Sequence, residues 1–281
     1  MKIQSFQQYV NTPLPHLPWI IPGLIPADGW TLLQAPPKTG KSIFAIQVAD
    51  SLTRGQHFLA WGNGLPFHGD HYTYATVVYI QADEPPGDWH QQLAQLGMYT
   101  SSPNALTIDR ASTGLFVMDD PLKRHKLKAL LAPLKPHLVI WDSLEKLTMQ
   151  DLNTKEGCQR ILKVIEEVWG GPRLVIHHPR KMKEGSFWGN LDEVAGNHYL
   201  SADASSILTL RKTGSLSGRL RILGRMADSE WDLVRSSKDY RWTKATKVVK
   251  AADPTTADEQ PQTSDESAPG TGSGLYVEPQ P

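Results

Sequence analysis

The stretch "GWTLLQAPPKTGKSIFAIQVAD", residues 29–50, decides the fold. Its first part, "WTLLQ", is a short apolar run closed by a turn, the pattern of a buried strand. Its last part places Ile43, Ala45, Ile46, Ala49 and Leu52 near helical spacing, with Gly55 as a C-terminal stop. Between them, Ala35-Pro36-Pro37-Lys38-Thr39-Gly40-Lys41-Ser42 ends as a P-loop ends. In such a loop the backbone N–H groups turn inward around phosphates, and the following helix N-terminus adds a favourable dipole. A side chain at Gly40 would collide with the phosphates. Lys41 would reach the β- and γ-phosphates, and the Ser42 hydroxyl would ligate Mg²⁺. The nucleotide-binding run is therefore Ala35 to Ile43. It departs from the usual pattern at Ala35, where glycine is expected. A methyl is tolerated there if φ is negative, and Pro36 and Pro37 stiffen the loop in compensation.

The same strand-then-helix rhythm continues along the chain. "TVVYIQ" is a strand followed by a helix over about 87–97, and "ALTID" is strand-like. Residues 120–132 form a basic amphipathic helix started by Asp119 or Asp120 with Pro121. "HLVIWDS" is an apolar strand, "NTKEGCQRILKVIEEVWGG" a helix ended by paired glycines, and "RLVIHH" a strand. "ASSILTLR", "GRLRILGR" and "EWDLVRS" are neighbouring strands near a sheet edge. The alternation predicts an α/β fold, a mainly parallel twisted sheet with helices on both faces and antiparallel strands added at the C-terminal edge. Residues 1–29, rich in proline, are expected to be mostly irregular and to pack on the core, with at most one short helix near 3–10. The ATPase-type core is expected over 30–245. Residues 246–281 are low in apolar side chains and rich in Pro, Ser, Thr and acid, so a disordered acidic tail is expected.

Composition narrows the class. Hydrophobic residues make up 40% of the 281, with nine Trp, enough for a core. No apolar run approaches the roughly 18 residues of a membrane span, and "MKIQSFQQYVNTPLP" has no secretory h-region. The single cysteine, Cys158, excludes an internal disulfide and suits a reducing cytoplasm. Net charge is zero, but six acids and no Lys or Arg lie beyond residue 250. The body before it is thus mildly basic, which is compatible with nucleic acid.

Strand ends supply the remaining chemistry. In open α/β sheets ligands bind outside the carboxyl ends of the strands. Asp142, ending "HLVIWD", could hold Mg²⁺ through water. Asp83 and Glu84, after "VVYIQ", sit where a carboxylate could orient an attacking water, and the longer arm of Glu84 suits that task. His177 and His178 end the next strand, and a neutral imidazole there could sense a γ-phosphate. Adjacent strand histidines face opposite sides and make a poor metal pair. His57, His68 and His71 lie in the Gly- and aromatic-rich excursion 55–75. In "PRKMKEGSFWGNLDEVAG", residues 179–196, the cations Arg180, Lys181 and Lys183 stand near Phe187 and Trp188. Charge can track a phosphate backbone while rings stack bases, which suits single-stranded DNA. Beyond them lie Arg211, Lys212, Arg219, Arg221 and Arg225, one of which, with Arg225 favoured, could reach a neighbouring subunit's γ-phosphate as an arginine finger.

With these residues in place, the run "LPWIIPGLIPADGWTLLQAPPKTGKS" resembles the approach to the P-loop in RecA-like ATPases of the RepA type, hexameric plasmid replicative helicases. The residues that carry it are Trp19, Gly23, Leu24, Pro26, Gly29 and Leu33, and the likeness continues through "VVYIQADE", "HLVIWDS", "LVIHHPRK" and "ADASSILTLRK". The resemblance implies a RecA-like core, ATP hydrolysis with Mg²⁺ at subunit interfaces, a homo-oligomeric ring or filament, and DNA at its centre. It implies that Lys41 and Ser42 bind nucleotide and metal, that Asp142 is the second metal-side acid, that Asp83 or Glu84 is the catalytic acid, and that His178 is the sensor. Two other functions fit the same residues. One is a recombination or repair accessory that uses ATP as an assembly switch on single strands. The other is a regulatory ATPase acting on a protein partner. The acidic tail is expected to dock a partner or shield the basic body.

Overall fold

Trp30–Gln34 (β3) is buried at every position, as a strand covered on both faces must be. It lies inside a nine-stranded sheet in the computed structural model, which describes residues 4–12, 19–56, 58–60, 75–98, 102–178, 198–224 and 227–245. The other parallel strands are Val77–Gln81 (β4), Ala105–Ile108 (β5), Leu138–Asp142 (β6), Arg173–His177 (β7) and Ser206–Lys212 (β8). Ser217–Gly224 (β9), Ala227–Arg235 (β10) and Trp242–Lys244 (β11) follow antiparallel. The strand order is β11-β10-β9-β8-β3-β7-β6-β4-β5, a RecA-like arrangement.

Strand parity then assigns the helices to faces, because successive side chains point to opposite sides. Leu33, Val77, Tyr79, Leu138, Ile140, Leu174 and Ile176 share one core with Lys41–Arg54 (α2) and with Trp89 of Pro86–Gln95 (α3). Leu32, Val78, Ile80, Val139, Trp141 and Val175 share the other with Pro121–Leu134 (α5) and Lys155–Val168 (α7). The mainly parallel sheet with helices on both faces agrees with the pattern in the sequence.

Local chemistry sets the helix ends. Gly55, at φ 64°, closes α2. Asp120, not Asp119, caps α5, accepting from the N–H groups of Leu122 (2.9 Å) and Lys123 (3.3 Å). Asp119 turns away to accept from the Thr148 hydroxyl at 2.8 Å. The helix near residues 3–10 is Phe6–Val10 (α1). Three short helices were not expected: Arg110–Thr113 (α4), Leu144–Leu147 (α6) and His198–Asp203 (α8).

The proline-rich approach is more ordered than its composition suggests. Trp19–Ile21 (β1) and Ile25–Pro26 (β2) pair antiparallel, with Gly23 at φ 71° in the turn. Ile20, Ile21, Leu24 and Ile25 are buried in the α2-side core, and this burial holds a hairpin where proline alone argues for irregular chain. A single 3-10 turn, Phe58–Ala60, puts the Phe58 ring edge-on to Phe44 at 5.0 Å. Residues 61–74 and the tail 246–281 lie outside the described residues.

Register fixes where the site falls. Gln34 stands opposite both His177 and Thr209, and Gln81 opposite Asp142. The ends of β3, β7, β6 and β4 therefore open onto one edge, beside the start of α2.

Candidate active site

The loop between β3 and α2 carries its left-handed residues at Lys38 (φ 60°) and Gly40 (φ 98°). Ala35 is fully buried and keeps a negative φ, so the methyl at the first glycine position is accommodated without strain. The conformational demand falls on Lys38, whose left-handed backbone costs about 1 kcal/mol. The Thr39 hydroxyl ties the turn by donating to the Pro36 carbonyl at 2.6 Å.

Lys41 is 4% exposed. Its Nζ donates to the carbonyl oxygens of Ala35 (2.7 Å) and Pro36 (3.0 Å) and lies 3.0 Å from His178 Nδ1. Burial lowers its pKa to about 8, against the fields of Asp142, Glu145 and Asp83. A buried ammonium held by neutral acceptors at a helix N-terminus fits an incoming phosphate.

Asp142 is 1% exposed and accepts from the Tyr79 hydroxyl at 2.6 Å. Burial raises its pKa, while hydrogen bonds from Tyr79 and Ser42 oppose the rise. A carboxylate and a hydroxyl side by side are the oxygen donors a hard cation such as Mg²⁺ takes. Next to them, Ser143 Oγ and Gln81 Nε2 are buried with no hydrogen-bond partner among the described residues.

The two adjacent acids after β4 have different surroundings. Asp83 Oδ2 lies 3.4 Å from His178 Nε2, and that contact pulls the Asp83 pKa down. Glu84 lies near the same charges but has other neighbours. Burial, together with the charges of Asp142 and Asp83, raises its pKa to about 7. It lines a polar cavity of about 410 Å³ with Ile43, Gln92, Arg235 and Tyr240. One acid is thus locked in the ionised form, and its neighbour is tuned to exchange a proton near neutrality.

His178 follows the last residue of β7. Its ring spans from Lys41 to Asp83, and its backbone N–H donates to Glu145 Oε1 at 2.6 Å. Glu145 Oε1 also lies 2.5 Å from His177 Nδ1, so one carboxylate stands beside both histidines. The structure brings Lys41, Ser42, Asp83, Glu84, Asp142 and His178 to one sheet edge. Arg180, Lys181, Lys183, Phe187, Trp188 and Arg225, with His57, His68 and His71, lie outside the described residues. Among the described residues no group of three His, Cys, Asp or Glu side chains could hold a metal.

Tyr79, Glu145 and Arg235 were not legible as site residues. Tyr79 lies in an apolar strand and faces the α2 side, but only the β4–β6 register shows that its hydroxyl meets Asp142.

Three comparisons with known proteins bear on this geometry. The AAA_25 family model, an AAA domain, matches residues 2–184. The ATPase domain of G40P superposes with TM-score 0.54 at 11% identity, covering 78% of this chain and 85% of that one. A KaiC-like protein from Pyrococcus horikoshii OT3 superposes with TM-score 0.53 at 15% identity, covering 83% of this chain and 100% of that one. No curated protein matches the sequence. No described helix is long and apolar enough to cross a membrane.

Proposed function

This chain belongs to the AAA domain family and is a RecA-like P-loop ATPase, and we propose that it couples Mg²⁺-dependent ATP hydrolysis to single-stranded DNA, as a RepA-type replicative helicase does. The observation that carries this reading is the chain Lys41–His178–Asp83. One imidazole touches the phosphate-loop lysine and a strand-end acid. It also stands directly before "PRKMKEGSFWGN", where cations and rings suit a single strand.

The residues take these roles. The run Ala35–Ile43 wraps the nucleotide phosphates, and Lys41 Nζ exchanges its two loop carbonyls for phosphate oxygens. Ser42 and Asp142 would hold Mg²⁺, which would supply neutralisation of developing phosphate charge. Tyr79 keeps Asp142 oriented. Glu84 accepts the proton of the attacking water, for which a pKa of about 7 is suited. Asp83 holds the His178 ring, and His178 reports the state of Lys41 to residues 179–196. There Arg180, Lys181, Lys183, Phe187 and Trp188 would contact the DNA. Arg225 would reach a neighbouring copy in a homo-oligomeric ring or filament, the acidic tail would serve a protein partner, and the setting would be the cytoplasm.

The test is steady-state ATP hydrolysis with and without single-stranded DNA, in the full chain and in Lys41→Ala. Hydrolysis should rise with DNA and vanish in the variant. If DNA neither binds nor changes the rate, the coupling is wrong.

A further inference from the structure

Gly40 is not bare on its outer side. A Cβ built there would lie 3.1 Å from Trp242 Nε1 and 3.2 Å from Trp242 Cζ2. The indole comes from β11, 202 residues further along the chain, and its Nε1–H donates to the Gly40 carbonyl at 3.3 Å. That carbonyl also accepts the first helical bond of α2, from Phe44 N–H at 3.0 Å. Trp242 is 1% exposed.

The strand behind the indole is tied to the same helix. Gln47, nearly two turns into α2, donates through Nε2 to the Trp242 carbonyl at 2.9 Å and accepts the Trp242 N–H on Oε1 at 2.7 Å. This side-chain amide completes both backbone groups of a single residue, as a neighbouring strand would. Arg235 reinforces the pair from β10. Its guanidinium lies 4.8 Å from the Tyr240 ring and 5.9 Å from the Trp242 ring, and the Arg235 side chain lines the Glu84 cavity.

We infer that Trp242 is a positioning residue for nucleotide binding. Its indole forms the outer wall of the phosphate loop and holds Gly40 in the left-handed conformation, and Gln47 locks it in place. Two observations make this more than core packing. The donor reaches the backbone of the phosphate-loop glycine, and a side chain there, expected from the sequence to collide with phosphate, would meet the indole instead. The amide lock joins β11 to the phosphate-loop helix rather than to the sheet alone. Without the clamp, the loop populates its binding-competent form for a smaller fraction of the time. The apparent dissociation constant then rises by the inverse of that fraction, with no change in the bound state.

The inference rests on the phosphate loop binding nucleotide, and the experiment separates the two. Equilibrium binding of a fluorescent ATP analogue is measured for the full chain, Trp242→Phe and Gln47→Ala, alongside KM and kcat for ATP. Trp242→Phe keeps an aromatic ring but removes the donor. It should raise Kd and KM about threefold, the effect of one weak neutral hydrogen bond, with kcat within about twofold. Gln47→Ala, which leaves the indole intact and frees its strand, should raise both at least as much. Unchanged Kd and KM in both variants overturn the inference, whatever happens to melting without nucleotide. A wild-type chain that binds no nucleotide overturns the phosphate-loop reading itself, and the inference with it.

Discussion

Replacing Glu84 by Gln removes a sheet-edge carboxyl whose pKa, raised by burial to about 7, lies near working pH. If Glu84 accepts the proton of the attacking water, the rate follows its ionised fraction. With a pKa of about 7, roughly a tenth is ionised at pH 6 and nine-tenths at pH 8, so hydrolysis should rise about tenfold across that interval. The Gln side chain keeps nearly the same volume and a hydrogen-bonding oxygen but cannot take the proton. The expected loss at pH 8 is about 10²- to 10⁴-fold, and the pH-dependent limb should disappear. Nucleotide binding should stay within a few-fold, because Glu84 is not in the phosphate loop. Asp83→Asn is the control. His178 holds Asp83 ionised well below this range, so that variant should keep the limb at a lower level. The same substitution has a signature in stability. A carboxyl raised above its unfolded pKa favours folding below the unfolded value, and that contribution is lost as pH rises through the folded pKa. Glu84→Gln should therefore stabilise the chain at pH 8, by about 1–2 kcal/mol after solvent screening, and leave it unchanged at pH 4. The assay is initial-rate hydrolysis from pH 6 to 8, with urea melts at pH 4 and 8. A variant that keeps the tenfold limb, or loses less than threefold in rate, refutes the assignment of Glu84.

Other perturbations test separate parts of the site. Tyr79→Phe removes a buried donor to Asp142 and should cost about 1.5–3 kcal/mol in denaturant melts at pH 7; a loss under 0.5 kcal/mol would show the pair to be dispensable. His178→Ala severs the side-chain bridge from Lys41 to Asp83 and should abolish stimulation by single-stranded DNA more than basal hydrolysis; equal loss of both would count against a sensor. Arg241→Ala should lower stability by about 2 kcal/mol, because it leaves the buried Asp50 to Arg54 alone and the Leu96 carbonyl without its two guanidinium donors. A melt unchanged within 0.5 kcal/mol would refute that estimate.

The phosphate loop, the alternation of strands and helices, and the strand-end acids were legible because each is local. An apolar run, a turn and a helical period lie within about twenty consecutive residues, and a parallel strand ending in Asp places its carboxylate at the edge wherever that strand inserts. Sequence alone favoured Glu84 over Asp83 only by the length of its arm, since adjacent carboxylates have the same intrinsic chemistry. The imidazole that pins one and the burial that tunes the other come from strands brought together by the sheet. Nor could it choose Asp120 over Asp119 as the cap of α5, because Thr148 claims Asp119 from another loop. The proline-rich approach hides a hairpin for the same reason: its order comes from burial of Ile20, Ile21, Leu24 and Ile25 against a core built later in the chain. What the sequence by itself determined was the nucleotide loop and the class of sheet it sits in, both properties of short-range pattern. What only the tertiary structure decided was the environment of each charge, and the return of Trp242 onto Gly40, because register and long-range packing bring those groups together.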